Sequence, residues 1–208
     1  VKLKPCSSWP PFLIKQTTQI HPQSIHQRGF RAKSAVQAIK EPTMLKIFAA
    51  PGSIALASVI LLEEVEADYE LTLLDFSRGE QKEAAYQAVN PKGRVPALIT
   101  ESGVLTETPA ILLYIAKRFG ADSLVGAHDP FVFAKIQEFN SYLASTVHVA
   151  HAHRLRGSRW TDDPQAIEAL KKKVPESMTQ VIRLIEDDLL KGPWVHGEVY
   201  TICDPYLF

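Results

Sequence analysis

The sequence predicts an α/β domain of element order βαβαββα over residues 44–121, followed by an all-helical region over residues 129–208. Three observations carry this. Short apolar strand patterns alternate with helical ones from Leu45 to Asp75. A hairpin pattern and a capped helix follow between Val95 and Gly120. Beyond that, only long helical periodicities remain, each introduced by Asp-Pro.

Leu45–Ala49 reads as a strand stopped by Pro51-Gly52. Ser53 stands where a helix N-cap belongs, ahead of the apolar positions Ile54, Leu56, Val59, Ile60 and Leu61. Tyr69–Asp75 is a second strand, so a βαβ unit opens the domain and predicts a parallel pair with a right-handed crossover. Gln81–Ala88 reads as a short helix ended by Asn90-Pro91. Val95–Ile99 and Val104-Leu105 flank the turn Glu101-Ser102-Gly103 and predict a hairpin. Thr108-Pro109 then opens a helix from Ala110 to Phe119, with Thr108 as the cap, and Gly120 closes it.

Asp129-Pro130 and Asp163-Pro164 start two long helices. Pro175 is expected to kink or divide the second, and Gly192-Pro193 to end it. Thr201 and Asp204 have the spacing of a capping box, so a further helix starts just before Phe208. A helix cut after one turn leaves its apolar face unpartnered, and the expectation is a protein that continues past this point.

The 208 residues are 46% hydrophobic and 22% charged with a formal net charge of zero, which suits a folded core. That balance excludes a wholly disordered chain and argues against nucleic-acid binding through bulk charge. The run Ala55–Leu62, broken by Ser58, is too short to span a bilayer, so neither membrane nor nucleic acid is an expected partner and a cytoplasmic location is. Cys6 and Cys203 lie at opposite ends, which gives no disulfide framework, no CxxC pair and no four-ligand zinc pattern. Of the 23 basic and 23 acidic residues, seven basic and one acidic fall in residues 1–43. That segment, Pro-interrupted and rich in Ser, Gln and His, reads as a disordered extension or as sequence upstream of a start at Met44. An organellar transit peptide is the alternative.

Four motifs in order, Pro51-Gly-Ser-Ile-Ala-Leu-Ala57, Asn90-Pro-Lys-Gly-Arg-Val-Pro-Ala-Leu98, Leu105-Thr-Glu-Thr-Pro-Ala-Ile111 and Thr201-Ile-Cys-Asp-Pro-Tyr-Leu207, resemble the soluble glutathione S-transferase superfamily. The resemblance spans Met44 to Phe208 and is strongest to the bacterial, beta-type members. It implies a thioredoxin-like N-terminal domain, a helical C-terminal domain, glutathione as cosubstrate with no metal, a hydrophobic electrophile, and a homodimer.

The resemblance also implies roles for particular residues. A cis Pro96 exposes the backbone of Val95 for pairing with the cysteinyl part of glutathione; the alternative is an ordinary trans proline opening a strand. Thr108 and the helix amides hold the γ-glutamyl carboxylate while Glu107 pairs with its ammonium group; plain capping uses the same groups. Lys92 and Arg94, with Arg78 as a further candidate, meet the glycine carboxylate, or else are solvated loop charges. Beta-type relatives carry a cysteine where this chain has Ile54, which leaves Ser53 as the hydroxyl able to hydrogen-bond the sulfur, or to serve purely as a cap. Ser58 reads as packing. His148, in Tyr142–His148, matches a histidine that faces the electrophile and bonds the sulfur, although Val149 stands where relatives have Lys. His148, His151 and His153 lack the ligand set of a structural zinc site. Lys171–Lys173 reads as a solvated helix face.

The first functional expectation is therefore a transferase that supplies glutathione thiolate to an electrophilic carbon or a peroxide oxygen. The second is a transferase-like dimerisation or ligand-binding module without catalysis. A disulfide exchanger would need the CxxC that is absent.

Overall fold

The computed structural model describes residues 44–208, so every expectation for residues 1–43 lies outside the described residues. Four strands form one sheet in the order β2-β1-β3-β4. Strand β1 (Leu45–Ala49) pairs in parallel with β2 (Tyr69–Leu73) and antiparallel with β3 (Ala97–Thr100), which pairs antiparallel with β4 (Gly103–Thr106). The parallel register, Leu45 opposite Tyr69 through Ala49 opposite Leu73, is set by the crossover helix α1 (Ala55–Glu64).

The alternation along β1 fixes both faces of the sheet. Leu45 and Ile47 point into the main core with Leu61 and Leu62 of α1 and Leu98 of β3, all 2% exposed or less. Ile111, Leu112 and Ile115 of α3 (Thr108–Arg118) complete that layer. The other face carries a smaller cluster of Leu74, Tyr86 and Ala97, with Phe48 and Val95 packed against it. Tyr86 belongs to the single helical turn α2 (Ala84–Gln87). The helix expected over Gln81–Ala88 is thus split into a 3₁₀ turn at Glu80–Lys82 and this turn. Glu83, in extended backbone between them, breaks the ladder.

Helix α4 (Pro130–Tyr142) passes through a widened π-turn at Leu143–Val147 into α5 (His148–Arg156). Asp129 caps α4 by accepting from the Phe131 and Val132 amides. Helix α6 (Pro164–Leu184) is capped by Asp163 and runs through Pro175 undivided, because one missing ladder bond is a small part of 21 residues. It ends in a second π-turn, Ile185–Leu189.

The segment before α7 (Asp204–Leu207) is fastened by Asp204. Its carboxylate accepts from the Thr201 amide at 2.7 Å and from the Val195 amide at 2.8 Å, while Thr201 Oγ1 accepts from the Cys203 amide at 3.3 Å. The carboxylate half of the expected capping box is present; the hydroxyl takes the amide two residues on rather than three. Tyr200 donates to Glu64 at 2.5 Å, and Ile202 and Cys203 are fully buried, so this stretch closes over α1. Burial pushes the Cys203 thiol up to about 12, which makes it an inert packing group. No helix among the described residues is long and apolar enough to cross a membrane.

Candidate functional site

A cleft of about 900 Å³ opens where the ends of β1 and β3 and the start of α3 face α5. Its walls include Ser53, Arg94, Val95, Pro96, Glu107, Thr108, His148, Arg156, Arg159 and Trp160. The volume is at the upper end for small-molecule sites, about 300–1,000 Å³, with room for two ligands side by side.

The loop before β3 is locked from several directions. Asn90 is 1% exposed; its side chain donates to the Arg94 carbonyl at 2.7 Å and accepts from the Lys92 amide at 3.1 Å. Tyr86 donates to the same Arg94 carbonyl at 2.6 Å. Gly93 has φ +59, and a Cβ there would meet the Gln81 carbonyl oxygen at 2.9 Å. The position therefore needs both the left-handed backbone and the missing side chain. The Val95–Pro96 peptide is cis. Ladder pairing of β3 begins only at Ala97, so among the described residues no other backbone group engages the Val95 amide or carbonyl, and Val95 lines the cleft.

At the other end of this wall, α3 starts at Thr108 itself rather than at Ala110. The cap position is held by Glu107 at φ +73, with no side-chain cap bond, which corrects the reading of Thr108 as a capping residue. A non-glycine residue held there costs about 1–3 kcal/mol and occurs where surrounding structure fixes it, typically at ligand sites. Thr108 is 5% exposed and lies on the cleft wall beside the first-turn amides of α3.

One further expectation is corrected. Ser53 does not cap α1: its hydroxyl donates to the Ala50 carbonyl at 2.6 Å, closing a turn on β1's end, and Ile54 holds the cap position without a side-chain bond. The serine still faces the cleft, half-buried, at the N-terminus of α1. The Lys92 ammonium bonds Glu107 at 2.6 Å and Thr106 at 2.8 Å. Arg78, paired with Glu80 at 3.8 Å, is not on the cleft wall, whereas Arg94 is.

From the helical side, His148 sits directly after the π-turn and is half-buried against the cleft. Burial first, then the charges of Arg156, His151, Arg94 and Arg159, hold its pKa below the usual 6.5, so the ring is neutral at pH 7. His153 instead stacks on Trp160, ring centres 4.3 Å apart, and His151 lies on the wall. Among the described residues no His, Cys, Asp and Glu group is arranged to hold a metal ion. Ser58 is fully buried in α1, and the exposed Lys171 and Lys173 pair with Glu168 and Glu176 on their own helix.

The reading from sequence missed Arg156 and Arg159. The only signal was a run of basic residues at a helix end, which helix electrostatics alone would explain. It also missed Trp160, Pro205 and Tyr206, which complete the wall from distant segments.

Residues 43–117 match the family model of the glutathione S-transferase N-terminal domain. The chain is 31% identical over 166 residues to glutathione S-transferase GstA of Escherichia coli O157:H7, a match covering 79% of each chain. Among solved structures, it resembles a glutathione transferase homologue from Sulfitobacter with bound glutathione, at TM-score 0.77 and 44% identity, covering 79% of both chains. A sphingomonad glutathione S-transferase complexed with glutathione gives TM-score 0.66 at 32% identity over 78% of both chains. With the sheet order, the capped final segment and the cleft geometry already in place, these matches establish that the chain belongs to the glutathione S-transferase family.

Proposed function

We propose that this protein is a glutathione transferase whose cleft activates the glutathione thiol and directs it at an electrophile held against α5. One observation carries the reading: the free backbone of Val95 beside cis Pro96, the Glu107–Thr108 helix start, Ser53 and His148 all border one cleft. Glutathione-bound relatives of similar fold support it.

In this reading the cysteinyl backbone of glutathione pairs with the Val95 amide and carbonyl, extending the sheet edge. The γ-glutamyl carboxylate meets the α3 amides and the Thr108 hydroxyl, where helix N-termini favour anions. Its ammonium group exchanges with Lys92 for the Glu107 carboxylate, and the glycine carboxylate meets Arg94. The sulfur then lies near the α1 N-terminus. The Ser53 hydroxyl rotates from the Ala50 carbonyl to donate to it, and the helix dipole favours thiolate over thiol. The neutral His148 ring can accept the departing proton directly or through water. With the thiolate formed and the electrophile alongside, the remaining rate comes from proximity. The family resemblance further supports a homodimer, which sedimentation of the purified protein reads directly.

Calorimetric titration with glutathione, combined with ultraviolet detection of thiolate, tests this. Thr108→Val is expected to weaken binding about 10- to 100-fold, the worth of one charge-assisted hydrogen bond of about 1.5–3 kcal/mol. Ser53→Ala is expected to lower the thiolate signal while binding persists. Absence of glutathione binding in the wild-type protein would favour instead a platform that keeps the fold without the chemistry.

A further inference from the structure

The cleft holds more positive charge than glutathione uses. Arg94, Arg156 and Arg159 all line it, and none forms an ion pair or a side-chain hydrogen bond among the described residues. The carboxylate on the wall, Glu107, is taken by Lys92. Arg159 senses the other two: burial, then Arg94 and Arg156, depress its pKa, although it stays protonated at neutral pH. Like charges gathered around a concave surface without acidic partners oppose folding locally, and an anion entering the cleft relieves that repulsion. The same cleft is lined by the apolar side chains of Val149, Leu155, Trp160, Leu56 and Phe208.

Glutathione accounts for part of this charge at most. Its γ-glutamyl carboxylate belongs to the α3 N-terminus and its glycine carboxylate takes one cation, Arg94, from the β3 loop. Arg156 closes α5 and Arg159 follows in the next turn, so both reach the cleft from the helical region and not from the β3 loop that carries Arg94.

We infer that the electrophile carries an anionic group, a carboxylate, sulfonate or phosphate, on an apolar or aromatic body, and that Arg156 and Arg159 read that group while Trp160 and Leu155 cover the body. This specificity assignment rests on the glutathione reading above. The planar forks of the two arginines match the paired oxygens of such groups. For a chloroarene of this class, the thiolate sulfur forms a bond to the ring carbon bearing chlorine, and chloride leaves with the bonding electron pair. The thiol proton has already gone to His148 or to solvent.

The test compares 4-chloro-3,5-dinitrobenzoate with its neutral carboxamide at saturating glutathione, each kcat/KM divided by the uncatalysed rate constant with glutathione. The wild-type protein is expected to favour the benzoate at least tenfold, with the preference shrinking as ionic strength rises. The double variant R156Q/R159Q is expected to bring the ratio close to one. Calorimetry of glutathione alone runs beside it. A wild-type ratio near one, with glutathione bound normally, overturns the anionic-substrate assignment and leaves the transferase reading intact. A ratio unchanged in R156Q/R159Q while its glutathione affinity falls tenfold also overturns it, because the arginines then serve the glycine carboxylate. No glutathione binding by the wild-type protein defeats both.

Discussion

The two walls of the cleft are built from different materials. The wall of β3 and α3 is mostly backbone: a bare amide and carbonyl at Val95, a helix start at Thr108, and a glycine at Gly93 that admits no substitute. The wall of α5 and the following turn is side chain: His148, Arg156, Arg159 and Trp160, the last two exposed. Backbone recognition fixes one ligand and tolerates little change, because the loop geometry and the binding geometry are the same thing. Side-chain recognition can change its ligand without disturbing the fold. The first wall therefore suits an invariant cosubstrate, and the second a variable one.

The sharpest way to break this contrast is Gly93→Ala. The left-handed backbone costs an alanine about 1–2 kcal/mol, and forcing Cβ against the Gln81 carbonyl adds about 1–3 kcal/mol. A stability loss of about 2–5 kcal/mol in urea unfolding is expected, together with weakened glutathione binding. Gly79→Ala is the control, since Gly79 has φ +76 but no atom within 4 Å of its Cβ position. Equal losses at the two glycines would show that the close approach is unimportant.

Asp204→Ala should follow in size. It strips two backbone amides, those of Val195 and Thr201, of a charged acceptor in a partly buried place. A loss of about 2–3 kcal/mol is expected by the same unfolding measurement. A value under about 1 kcal/mol would mean that water replaces the carboxylate and that the final segment is held by the burial of Ile202 and Cys203 and by the Tyr200–Glu64 bond.

A smaller effect separates the partners of Glu107. Exposed ion pairs are worth about 0.2–1 kcal/mol, so Lys92→Met should scarcely change stability. If Lys92 competes with the glutathione ammonium for Glu107, its loss is expected to tighten binding by up to about fivefold in calorimetry. Weaker binding would instead return Lys92 to the glycine carboxylate, the role expected from sequence.

These differences also explain what the sequence could disclose. Backbone devices leave signatures in residue type: Gly93 for a left-handed turn, Pro96 ahead of a strand, Pro109 inside a helix start, Asp204 three residues after Thr201. The parallel first pair, the β3–β4 hairpin and the carboxylate tie before α7 were legible for that reason. Side-chain direction is not encoded so locally. Ser53 has the residue type and position of an N-cap, yet the chain turns one residue later and the hydroxyl folds back to Ala50. Thr108 has the same credentials and lies one position inside its helix, because the left-handed Glu107 takes the cap. The π-turn at Leu143–Val147 adds a residue's worth of rotation just before His148, and no periodicity announced it. Arg156 and Arg159 meet Arg94 only because the fold brings residues some sixty positions apart to one cleft.

The smallest expected effect concerns His148, and it reads the second wall most directly. Burial and the nearby charges of Arg156, His151, Arg94 and Arg159 disfavour its imidazolium in the folded protein. In the unfolded chain the ring titrates near 6.5, so below that pH the unfolded state binds the extra proton first. The contribution to stability is full above about pH 6.5 and is lost as the pH falls through the lower folded value. His148→Gln should flatten that part of the stability–pH curve, leaving the parallel share of His196, whose pKa burial also lowers. Proton NMR of the His148 ring should give a midpoint below 6.5. Adding an aromatic carboxylate without a leaving group, such as 3,5-dinitrobenzoate, should then move that midpoint upward, because an anion beside Arg156 and Arg159 offsets the charges that depress it. A midpoint that stays fixed at saturating carboxylate would mean that desolvation alone sets it and that the arginines lie too far from the ring to sense the same ligand.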